Sequence, residues 1–125
     1  MAPMDPLLVP REAFESMVVD ALDALPQWMA PIVAEIAVLV EEEPAPDQAP
    51  PGSTLLGLYR GVPRTRLGGR VPGTTPDTIT LFRGPIVRVC DSPESVHARV
   101  LKVLGHEIGH AMGLSESKLR SLGWL

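Results

Sequence analysis

Between Arg11 and Leu25 the apolar positions return at helical spacing. Phe14, Met17, Val18, Ala21, Leu22 and Leu25 fall on one face, with Glu12, Glu15, Asp20 and Asp23 mostly off it. This predicts an amphipathic helix over 11–25, opened by Pro10 and closed by Pro26. A helical turn is expected around residues 27–30. The period then changes: EIAVLV at 35–40 is short, apolar and β-branched, which predicts a strand. TLLGLY at 54–59 predicts a second strand. DTITLFR at 77–83 predicts a third, with Ile79 and Leu81 alternating against Thr78, Thr80 and Phe82. PIVRVC at 85–90 reads as an extension of that strand or as a fourth.

Two segments lack a buried face. Residues 41–53, EEEPAPDQAPPGS, combine charge, proline and glycine and read as an exposed loop within a domain. Residues 60–76 contain four arginines, three prolines and four glycines, a composition that suits a mobile loop over a site and equally an ordinary solvated loop. DSPES at 91–95 is a strong helix start. Ser92 suits the N-cap, Pro93 the first helical position, and Glu94 the positive end of the helix dipole. Val96, Val100, Val103, Leu104 and Ala111 then share one face, and Gly113 supplies the stop. Gly105 and Gly109 in the helix interior cost roughly 1 kcal/mol each relative to alanine. With Ala98 they form a lane of small residues along which another segment can pack closely.

Composition narrows the class of protein. The chain has 125 residues, 45% of them apolar and 21% charged, which fits one globular domain spanning 1–125 with residues 1–9 expected to be flexible. A formal charge of −4 argues against a phosphate-seeking surface, so nucleic acid is not an expected partner. The longest apolar run, Trp28 to Val40, is broken by Pro31 and Glu35 and is too short to span a bilayer, so no membrane association is expected. The N-terminus does not read as a signal peptide, and Cys90 is the sole cysteine; both favour a cytoplasmic location.

The chemistry is concentrated in HEIGHAMGLSE, residues 106–116. His106 and His110, four apart on a helix, project from neighbouring turns of one face and can share a metal ion. Glu107 is turned about 100° from His106. That keeps it beside the metal without making it a ligand, the placement of a general base for metal-activated water. Gly113 can take the left-handed conformation that turns the chain, and Glu116 follows His110 by six residues. A catalytic zinc takes three protein ligands and keeps one open position. Glu116 is the only acidic residue after Gly113, and no histidine follows it, which makes Glu116 the expected third ligand.

The pattern H-E-x-x-H-x-x-G-x-x followed by an acidic residue resembles the metzincin motif. With LGLYRGVP and PDTITLFRGPI upstream, the stretch from about Leu55 onward is similar to the small bacterial family of minimal zincin-like metallopeptidases. The resemblance implies a small α+β fold: an N-terminal helix, a small mixed sheet, a long helix carrying the motif and a short C-terminal helix. It also implies a Zn2+ site of His106, His110 and Glu116, with Glu107 as catalytic base. Two departures stand out. The family usually has Asp where this chain has the longer Glu116, and no methionine follows Glu116 to form a Met-turn.

The expected function is therefore zinc-dependent hydrolysis of a peptide or protein substrate, the alternative being a non-catalytic zinc-binding interaction domain that retains the site. Residues 77–83 are the expected open edge strand for an extended substrate. His97, about 180° from His106 on the helix, is expected at the surface, and Cys90 as an inert buried thiol. Tyr59 and Arg99 are candidates for oxyanion stabilisation, with structural roles favoured. Arg60, Arg64, Arg66 and Arg70 hint at an acidic substrate.

Overall fold

The computed structural model describes Asp5 and residues 8–49, 54–61 and 77–124. Helix α1 (Arg11–Ala24) buries Phe14, Val18 and Ala21, the centre of the predicted stripe. A single 3₁₀ turn (Gln27–Met29) and a short helix α2 (Ala30–Val33) lead into strand β1 (Ile36–Glu41). Strands β2 (Gly57–Arg60) and β3 (Asp77–Phe82) follow, then helices α3 (Arg83–Arg88), α4 (Pro93–Ala111) and α5 (Glu116–Ser121). The result is the expected α+β fold with a three-stranded mixed sheet. Val9, inside the stretch expected to be flexible, is fully buried in the core. Most of the loop at 60–76, including Arg64, Arg66 and Arg70, lies outside the described residues.

The sheet order is β1-β3-β2, with β1 parallel and β2 antiparallel to β3. This corrects the expectation that residues 77–83 form an open edge. β3 is the central strand, paired on both sides, and the edges are β1 and β2. Hydrophobic alternation reports which face of a strand is buried, not how many neighbours it has, so it could not supply the strand order.

The second correction concerns residues 85–90, expected as strand. Arg83–Arg88 form α3, in which Gly84, Pro85, Ile86 and Val87 are all buried. A short, fully buried apolar run carries no period that separates helix from strand. Pro85 sits in the first helical turn, where its missing N–H has no helical acceptor to satisfy. The helix is tied to the β1 end by the Gly84 N–H, which donates to the Glu42 carbonyl at 2.9 Å, and by the Arg88–Glu43 ion pair at 2.7 Å.

α4 packs against α1, β2 and β3 and carries the largest share of the core, with Val96, Val100 and Leu104 fully buried. Its start follows the sequence signal: Ser92 accepts from the Ser95 N–H, and the Ser95 hydroxyl accepts from the Ser92 N–H, a reciprocal box with serine in place of the usual Glu. Its end is a Schellman motif. Gly113, at φ 78°, lets its own N–H donate to the His110 carbonyl and the Leu114 N–H donate to the Gly109 carbonyl, each at 2.9 Å. The same motif recurs after α5, where Gly123 has φ 86° and the Trp124 N–H donates to the Leu119 carbonyl. Two sharp reversals therefore fold the chain end back along α4.

Candidate metal centre

The returning chain is received by the two interior glycines. A Cβ at Gly105 would run into the Trp124 indole, and one at Gly109 into the Leu119 side chain, so both positions must be bare for the C-terminal segment to dock. Leu119 is fully buried as a result. Gly105 and Gly109 of the predicted lane are thus the seat of Trp124 and α5, while Ala98, its third member, is exposed. Docking brings two groups to the motif: the side chain of Glu116, at the first position of α5, and the main-chain carbonyl of Trp124.

His106 and His110 present their rings edge to face, with centroids 4.5 Å apart and planes at 73°. The His106 Nδ1 lies 3.1 Å from the Trp124 carbonyl oxygen. A carbonyl only accepts, so this bond places the proton on Nδ1 and leaves Nε2 with its lone pair directed outward. Both Nε2 atoms then converge on one oxygen: Glu116 Oε1 is 2.8 Å from His110 Nε2 and 3.5 Å from His106 Nε2. The hydrogen bond from His110, opposed by desolvation and helped by the nearby Arg120, holds the Glu116 carboxyl below its ordinary range.

Glu107 occupies a different position. Its side chain is buried, and its Oε1 lies 3.4 Å from His110 Nδ1, the nitrogen that does not face Glu116. The two Nε2 atoms share Glu116 and not Glu107, which separates the two carboxylates by geometry. Glu107 is pressed from above by β2: a Cβ at Gly57 would lie 2.7 Å from Val103 Cγ1 and 3.3 Å from Glu107 Cγ. Among the described residues, His106, Glu107 and His110 bring one ligand atom each within 4.8 Å of one another, a group that takes in Glu107 and leaves out Glu116; the facing of both Nε2 atoms toward Glu116 is what favours Glu116 over Glu107 as the third donor. Two imidazoles and a carboxylate are the nitrogen and oxygen donors that zinc accepts.

The remaining candidates are dispersed. His97 is exposed, with Nε2 at 3.4 Å from Asp20 Oδ2 of α1. Cys90 is a buried free thiol in the core. The Tyr59 hydroxyl donates to Asp77 Oδ2 at 2.9 Å, which ties the edge strand to the central one. Arg99 lines a cleft of about 240 Å³ that ends at His106 and Glu107 and whose walls include Leu55, Leu56, Val103 and Trp124. Sequence reading missed Gly57 and Trp124. A lone glycine inside a strand pattern was the available signal for the first, since it often marks a close backbone approach. No side-chain signal existed for the second, because the group that acts is a main-chain carbonyl.

A small α+β fold built around a His-Glu-x-x-His helix defines a protein of the zincin type. Residues 33–124 match the zincin-like metallopeptidase family, and the chain belongs to that family. Among solved structures, the chain is similar to a conserved hypothetical protein from Thermus thermophilus, with a TM-score of 0.54 and 22% identity over 91% of this chain and 97% of that one. At that identity the likeness shows the fold. A search of curated proteins finds no match. No helix among the described residues is long and apolar enough to cross a membrane.

Proposed function

We propose that the protein is a zinc-dependent peptidase in which His106, His110 and Glu116 hold the metal and Glu107 is the general base. The observation that carries this reading is the division of labour between the two carboxylates. Glu116 faces both Nε2 atoms, while Glu107 is buried beside them on the opposite side of His110. Zinc, when bound, supplies Lewis-acid activation of water and of the scissile carbonyl. Glu107 takes the proton of the attacking water and carries it to the departing amine. Its side chain is buried, and the bare Cα of Gly57 lets β2 approach it closely. His106 is held in one tautomer by the Trp124 carbonyl.

Among the described residues β2 is an edge strand that packs on α4 beside the site, and we place an extended peptide substrate along it. This edge takes the role first assigned to residues 77–83. A second reading, a non-catalytic zinc-binding interaction domain, draws support from one feature: the proposed ligands bridge α4 and the C-terminal α5, as a structural staple would. Cleavage of a peptide library by zinc-loaded protein, with metal content measured by elemental analysis, decides between them. Zinc-dependent cleavage supports the peptidase, and full zinc occupancy without cleavage supports the staple.

A further inference from the structure

Arg99 and Lys102 stand one turn apart on α4, on the N-terminal side of His106, and both line the cleft that ends at His106 and Glu107. Beside them the walls are apolar: Leu55, Leu56, Val103 and Trp124. Arg11, Arg83 and Arg88 pair with Glu15, Glu42 and Glu43, whereas Arg99 and Lys102 stand with Arg60, Lys118 and Arg120 among the described basic residues that form no such ion pair; of these five, Arg99 and Lys102 line the cleft. Among the described residues no carboxylate pairs with Arg99 or Lys102. Two adjacent cations over an apolar wall form a surface complementary to a carboxylate attached to an apolar chain. Arg99 offers a planar fork to both oxygens, and Lys102 a mobile point charge.

The spacing sets where that carboxylate sits. On a helix rising 1.5 Å per residue, Lys102 and Arg99 lie about 6 and 10 Å from His106 along the axis, and an extended peptide covers that distance in about two to three residues. We propose that Arg99 and Lys102 form a carboxylate-recognition subsite. The peptidase then selects chains with a carboxylate, from an acidic side chain or a free C-terminus, about two to three residues from the bond it cuts. The inference rests on the peptidase reading for the position of that bond. The cations and the cleft are independent of it.

The test reads binding and cleavage separately. Ten-residue peptides of one neutral sequence, carrying a single Glu or Gln at successive positions and ending in a free carboxylate or an amide, are titrated calorimetrically into zinc-loaded Glu107→Gln protein. This variant is expected to bind peptides with little turnover. Peptides with a carboxylate at the right distance should bind roughly three- to tenfold tighter than their amide counterparts, and the preference should shrink as salt is raised. Adding Arg99→Gln and Lys102→Gln should abolish the preference and leave neutral peptides unaffected. Both positions are exposed, so the fold should survive, as a melting curve would verify. Dependence on the position of Glu identifies a side-chain carboxylate, and dependence on the free terminus identifies a C-terminal one. Equal binding of all peptides, no binding of any, or a preference that survives the double substitution overturns the subsite. Wild-type cleavage without a carboxylate preference also overturns it and leaves the peptidase standing. Carboxylate-dependent binding with no cleavage by the wild type supports the subsite and overturns the peptidase.

Discussion

The Nδ1 of His106 donates to the main-chain carbonyl of Trp124 at 3.1 Å, so the penultimate residue of the chain orients a side chain eighteen positions before it. This contact depends on Gly105, whose bare Cα leaves room for the Trp124 indole. Gly105→Ala should favour the helix by up to about 1 kcal/mol yet push Trp124 outward and free the His106 ring. Partners that orient a metal-binding histidine are typically worth about 10- to 100-fold in metal affinity. The variant is therefore expected to fold, with zinc affinity reduced by about tenfold or more when measured by competition with a chelating dye. Unchanged affinity would show that the Trp124 carbonyl does not position the ligand.

Gly109 has a harsher neighbour. Leu119 is fully buried and cannot swing away, whereas Trp124 is only half-buried. Gly109→Ala should destabilise the docking of α5 by about 1 to 3 kcal/mol, the usual range for overpacking. Urea denaturation of the metal-free protein measures it, and a wild-type midpoint would refute the tight seat.

The ligand assignment predicts a graded loss of metal. His106→Ala and His110→Ala should abolish stoichiometric zinc, and Glu116→Ala should weaken it markedly while one zinc per chain remains the wild-type content. Elemental analysis of the purified variants checks this. Full occupancy in Glu116→Ala would remove that residue from the ligand set. Because these residues join α4 to α5, chelation should also lower the melting temperature. A ligand bound only by the native state at 100 times its Kd adds about 2.7 kcal/mol. An unchanged melting curve after proven metal removal would show that the fold stands without it.

Glu116 also predicts the acid behaviour of the metal-free protein. Its carboxyl is held below its ordinary value of 4.5, chiefly by the hydrogen bond from His110. A lowered carboxyl stabilises the folded state when ionised. Its contribution is fully present above the ordinary value and is lost as pH falls through the lowered one. The stability difference between wild type and Glu116→Gln should therefore narrow as pH falls from above the ordinary value of 4.5 through the lowered one. Glu116 is exposed, so the difference should be small throughout. A gap that widens with acid would contradict the pairing with His110.

The parts of this structure that were legible in sequence are those in which one element carries all the information. On α4 the positions of His106, Glu107 and His110 follow from fixed helical increments, and Ser92, Pro93 and Gly113 mark the ends of that helix chemically. The glycine lane was legible because two interior glycines in a helix are costly without a neighbour to admit. What escaped depends on partners. The central place of β3 follows from pairing with β1 and β2, which no pattern within residues 77–83 encodes. The helical state of residues 84–87 was hidden because all four are buried, and a fully buried strand and helix look alike in sequence. Gly57 gained its meaning only from the approach of Val103 and Glu107.

Glu107, in the proposed mechanism, is a base that does not hold the metal. Gln at this position keeps the size and hydrogen-bonding capacity of the side chain but cannot accept the proton. Glu107→Gln should retain one zinc per chain and a wild-type fold while losing about 10² to 10⁴ in peptide turnover, the usual worth of general acid–base assistance. The decisive measurement is kcat/KM of wild type and variant on the same cleaved peptide, with zinc content determined on the same samples. A large drop at full zinc occupancy is the predicted result. Equal turnover by both forms, or loss of zinc from the variant, would contradict the assignment.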